Sequence, residues 1–93
     1  MKTTLTRLLI TGRAVLDATV QLFQVTEHHV ETGWLGRRRE RTEQRCYYLR
    51  ENVGWCDDRG PLSLHDPRVL MLSREAVAWR NRESLDRFTG VAH

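Results

Sequence analysis

The chain has 93 residues, 40% of them apolar, with 15 Lys and Arg against 12 Asp and Glu and a net charge of +3. That length holds one small domain over residues 1–93 with a modest core, which excludes a multidomain enzyme and leaves little room for a large pocket. No run of about 18 apolar residues occurs, so a membrane-spanning helix is excluded, and two cysteines with no secretory segment before them lead us to expect a cytoplasmic protein with reduced thiols.

From the N-terminus, Leu5, Leu8, Leu9, Gly12, Val15, Leu16, Thr19, Val20 and Phe23 recur at three- and four-residue steps. This spacing predicts a helix with one apolar stripe, which would cover a sheet or pair with the same helix of a second subunit. Leu16, Ala18, Val20 and Leu22 also alternate, so a strand reading, with Thr11-Gly12 as a turn, competes. Around Trp34-Leu35, the glycines Gly33 and Gly36 mark turns. Glu43 to Arg50 then reads as a strand with Cys46 and Tyr48 on one face and Tyr47 and Leu49 on the other.

Asn52-Val53-Gly54 and Asp58-Arg59-Gly60-Pro61 read as turns flanking Trp55 and Cys56. Asp66-Pro67 has the chemistry of a helix start, and Val69, Leu70, Ala76 and Val77 supply an apolar face that Leu85 and Phe88 extend towards a stop at Gly90. The expected fold class is α+β, with an N-terminal helix, a short β element and a C-terminal helix. An all-α dimer is the rival.

Charge is concentrated in one place. Arg37 to Arg50 holds six arginines against Glu40 and Glu43, whereas residues 1–36 balance. Arg37, Arg38, Arg39 and Arg41 present several guanidinium forks suited to phosphates or carboxylates, and Trp34, Tyr47 and Tyr48 flank them with rings that stack on bases or anchor a protein interface. An ordinary solvated loop accounts for the same residues.

Other constellations are sparser. Arg74, Arg80, Asn81, Arg82 and Arg87 suit a DNA-reading helix, but Leu62 to Pro67 lacks the short turn of a helix-turn-helix motif. His28, His29, His65, Cys46 and Cys56 have no metal-ligand spacing, and His93 reads as a loose terminal side chain. Cys46 or Cys56 with His65 and Asp58 or Asp66 would make a nucleophile, base and orienting acid only if the fold gathered them. Neither a phosphate-binding glycine loop nor HExxH is present. The expectation is a non-enzymatic regulatory or interaction protein with no cofactor and no metal, a homodimer through the N-terminal stripe. It binds an acidic partner protein through Trp34 and the arginines; a nucleic-acid-binding regulator that uses residues 37–50 against the phosphates of DNA or RNA is the alternative.

Overall fold

The computed structural model describes the backbone of residues 2–90 and the side chains through Leu85, so the expectations for Arg87, Phe88 and His93 lie outside the described side chains. Residues 2–32 form two long strands rather than a helix. Strands β1 (Lys2–Asp17), β2 (Val20–Thr32), β3 (Arg38–Arg50), β4 (Gly54–Asp57) and β5 (Gly60–Pro61) pair in chain order as an antiparallel meander. Helix α1 (Pro67–Gly90) lies across one face of this sheet. The expected α+β arrangement of two helices around a short β element is therefore corrected to a mostly-β domain with a single C-terminal helix, and the all-α dimer falls with it.

The reason is visible in β1. Register shifts against β2 fall between Leu5 and Arg7, Ile10 and Gly12, and Val15 and Asp17. Each places an extra residue opposite one partner and resets which side chain points inward. Leu5, Leu8, Ile10, Arg13 and Val15 consequently share one face, opposite alternate residues of β2 from His29 to Gln21. Steps of three, two, three and two imitate part of a helical repeat. Thr3, Thr4, Thr6, Ile10, Thr11 and Val15 supply the β-branched character that favours the pleated form.

Asp17 closes the first hairpin, its Oδ1 accepting from the Thr19 amide at 2.7 Å and the Thr19 hydroxyl at 2.8 Å. The second hairpin turns through a 3-10 turn at Trp34–Gly36, where Leu35 and Gly36 take φ of 63° and 70°. Gly33 N–H donates to the Arg37 carbonyl at 2.9 Å and ties the turn shut.

Leu8, Ile10, Phe23, Val25, Tyr47, Trp55, Leu72 and Ala76 form the core between sheet and helix, with Val69, Met71 and Trp79 packed around it. The Phe23 and Trp55 rings meet in a tilted pair with centroids 5.2 Å apart, and Trp55 Nε1 donates to Ser73 Oγ at 3.1 Å, fastening the helix to β4. Of the stripe expected to meet a second subunit, Leu5, Leu8 and Phe23 pack into this core, Leu9 lies on the opposite face of the sheet, and Val15 and Leu16 are exposed, so these residues form no single helical stripe.

Helix α1 starts as its sequence directs. Asp66 Oδ1 accepts from the Arg68 amide at 2.9 Å, and its Oδ2 lies 2.6 Å from the Arg68 guanidinium. That hydrogen-bonded arginine holds the Asp66 carboxyl below the usual carboxylate range. Asp66→Ala is expected to lower unfolding stability by about 1 kcal/mol, the usual value of a helix cap, and Asp66→Asn by less because it keeps the acceptor. Urea titrations of the two variants check this; equal losses would mean that the ion pair, not the cap, carries the effect.

Candidate functional site

The register sorts every strand residue onto one of two faces. Towards the helix face Thr3, Leu5, Leu8, Ile10 and Arg13 of β1, then Glu31 back to Gln21 at alternate positions of β2, then Arg39 to Leu49 at alternate positions of β3. The opposite face carries Lys2, Thr4, Arg7, Leu9, Gly12 and Ala14, with matching alternate residues from Thr32 to Leu22 and from Arg38 to Tyr48. Among the described residues no element packs on this second face. Leu9, Leu22, Val30 and Tyr48 on it are half-buried, and Thr42, Gln44 and Cys46 are exposed.

Five cations gather at one end of the sheet. Lys2, Thr32 and Arg38 form one rung across three strands, and Arg7, His28 and Thr42 form another, four residues along β2. Arg37 and Arg39 flank Arg38 at the hairpin, whose tip projects Trp34 and Leu35 at 86% and 94% exposure. Among the described residues, none of Lys2, Arg7, Arg37, Arg38 and Arg39 is held in an ion pair. A hollow of about 320 Å³ opens beside Arg7, His28, Arg38 and Thr42, with Glu40 the one carboxylate in its lining.

The remaining arginines of the basic segment have different work. Strand β4 pairs with β3 only from Tyr48 to Arg50, so among the described residues the outer edge of β3 from Arg38 to Tyr47 has no neighbouring strand. Charged side chains along an open edge oppose pairing with other chains. Arg41 lies 3.3 Å from Glu31 and 3.1 Å from Glu43, and Arg45 lies 2.8 Å from Glu43 and 2.9 Å from Glu27. Arg45 holds the Glu43 carboxyl below its ordinary range, and Glu43 in turn raises the Arg45 guanidinium. Arg41, expected at the binding surface, is therefore engaged within the fold.

Tyr47 is likewise placed elsewhere. It is 1% exposed, beside Phe23 on the helix face, and its hydroxyl donates to Glu27, itself 1% exposed. Arg68 donates to the same hydroxyl at 3.1 Å, and its guanidinium carbon sits 5.6 Å from the centre of the ring. Burial, then the hydrogen bond to Glu27, pushes the Tyr47 phenol up to about 12. Glu27 also receives Arg45 Nε and has His29 Nε2 at 3.2 Å, so one chain of polar contacts runs from the start of α1 to the cationic end of β3. Tyr48, one residue on, faces the open side.

Glu27, His29 and Glu43 offer ligand atoms within 4.8 Å of one another, the spacing of a metal site. Guanidinium groups already neutralise both carboxylates, and a divalent ion there would displace Arg45 from each. The group works as an ion-pair network.

The other constellations stay apart. Cys46 is exposed on the open face, while buried Cys56 points its Sγ at the Gly54 carbonyl 3.6 Å away. Among the described residues no hydrogen bond links either thiol to His65, and Asp66 is taken by Arg68. Arg74, Arg80, Asn81 and Arg82 lie on α1, but the described residues hold one α-helix, so no supporting helix completes a helix-turn-helix unit. Sequence reasoning missed Lys2 and Arg7, which strand register alone brings beside Arg38. It also missed Glu27, for which a lone acid amid β-branched neighbours was the available signal. Comparison with protein-family models, curated proteins and solved structures returns no match for this chain.

Proposed function

We propose that this protein is a non-enzymatic binder of nucleic acid that grips the phosphate backbone with the cationic end of its sheet. One observation carries the reading: Lys2, Arg7 and Arg38 share the open face from two separate chain segments, with Arg37 next to them at the hairpin end, and among the described residues no ion pair holds any of them. Cations left unpaired side by side repel one another, and a chain of phosphates relieves that repulsion while releasing its counterions.

The test is a fluorescence-anisotropy titration against labelled DNA and RNA over a range of salt. Binding should weaken linearly in log–log form with salt. Replacing Lys2, Arg7 and Arg38 together with Gln should make the slope shallower by about 2, at ~0.7 for each lost phosphate contact on a single strand. All three side chains are surface groups outside the core, so the variant should keep its fold, which circular dichroism checks. Absence of binding to either polymer at low salt would end the proposal.

A second reading rests on the apolar tip. Trp34 and Leu35 stand side by side in solvent with Arg37 beside them, the composition of an anchor for an acidic partner protein. Under that reading Trp34→Ala abolishes partner capture, and nucleic-acid binding shows no saturation.

A further inference from the structure

Resting on the nucleic-acid reading, we infer that the ligand is a single strand of DNA or RNA laid along the open face of the sheet, in preference to a duplex. Two features of the fold separate these ligands.

The first is width. A two-stranded β-ribbon fits the roughly 12 Å major groove of a duplex. Here β1 runs beside the β2–β3 hairpin as far as the Lys2–Thr32–Arg38 rung, so the cationic end is three strands wide. Three backbones at about 4.8 Å spacing, with side chains added on both flanks, overfill that groove. Only the few residues of the tip, Gly33 to Arg37, extend past the rung.

The second is the surface that continues from the cations. Below Arg38 and Arg7 the open face carries Thr26 beside Gln44, then Tyr48 beside Leu22, and Arg50 at the far end. From the Arg38 rung to the Tyr48 rung is ten residues of β3, about 34 Å, enough for several nucleotides of the roughly 4–16 that a single-strand-binding domain covers. A single strand offers unstacked base faces to the Tyr48 and His28 rings while its phosphates meet Lys2, Arg7 and Arg38. A duplex keeps its base faces inside the stack and gains nothing from these groups. The carboxylates follow this division at the cationic end: Glu27, Glu31 and Glu43 face the helix side, and Glu40 and, at the first turn, Asp17 stand against Lys2, Arg7, Arg38 and Arg50 on the open face. Asp57 and Asp58, by contrast, line a hollow beside Gln44, Cys46 and Tyr48, so the phosphates belong at the Arg38 end and the Tyr48 end offers its ring.

The experiment compares labelled oligothymidine, oligouridine and a mixed-sequence DNA duplex, each of about 15 nucleotides or base pairs, at ~50 mM salt. Single strands should bind at least ten-fold more tightly than the duplex. Tyr48→Leu should weaken single-strand binding about ten-fold, the scale of one base stacked on a ring, and leave the weak duplex affinity unchanged. Gln44→Glu, at an exposed position in the middle of the path, supplies a second variant that repels a strand without touching the core. Equal affinity for duplex and single strand, or indifference to both substitutions, overturns this inference and leaves the backbone-binding proposal standing. Failure of all three probes to bind overturns both. The thymidine and uridine arms report whether DNA or RNA is preferred.

Discussion

Glu27→Leu is expected to lower unfolding stability by about 3 kcal/mol, at the lower end of the cost of unpairing a buried charge. The side chain is 1% exposed and takes the Tyr47 hydroxyl, Arg45 Nε and the neighbourhood of His29 Nε2. Removing it strips the acceptor from Tyr47, which is equally buried, and leaves Arg45 with Glu43 alone. Arg45 is half-exposed, so water recovers part of its loss, which keeps the estimate at the lower end. For a domain of this size about 3 kcal/mol corresponds to a fall in Tm of about 15 °C, a large share of the stability such domains possess. Glu27→Gln keeps an acceptor for Tyr47 and is expected to cost about half as much. Thermal unfolding followed by far-UV circular dichroism reads both variants. An unchanged Tm in Glu27→Leu would mean that the network is ornamental and that the core alone holds the helix to the sheet.

The fold's misleading stretch is β1, and the cause is physical. Alternation is the signature of a strand, and three bulges erase it by inserting a residue each time the phase would become evident. What survives is a mixture of two- and three-residue steps that overlaps the helical pattern, while the Thr-rich composition argues for a strand but is the weaker local signal. Later segments were more legible because their chemistry is local. Asp66-Pro67 needs nothing beyond its own chain neighbours to start a helix, and the turn at Gly33 to Arg37 depends on glycines a few residues apart.

The candidate interface divides along the same line. Trp34, Arg37, Arg38 and Arg39 could be found from sequence because a hairpin tip exposes whatever it carries. Lys2 and Arg7 could not, because pairing across β2 is what sets them beside Arg38 and Thr42, more than thirty residues away in the chain. Alternation assigns Tyr47 and Tyr48 to opposite faces, but it does not say which face a helix covers. That decision is made by Leu72 and Ala76, which pack against the Tyr47 side.

Coverage of Tyr47 gives the chain a specific alkaline response. Its phenol ionises at about 12 when folded, against 10.0 ordinarily, so the folded state holds this proton more tightly than the unfolded state does. Stability from this source is complete below pH 10, declines as the unfolded chain begins to ionise, and is exhausted above pH 12. A shift of this size is worth about 2 to 3 kcal/mol, so the urea midpoint of the wild-type protein should drop steeply as pH rises through that window. Arginine stays charged throughout and adds no slope of its own. Tyr47→Phe should start from a lower midpoint, having lost the bonds to Glu27 and Arg68, yet decline much less between pH 10 and 12. Parallel declines in the two proteins would place the alkaline transition on some other group and would show that Glu27 does not depend on the Tyr47 proton.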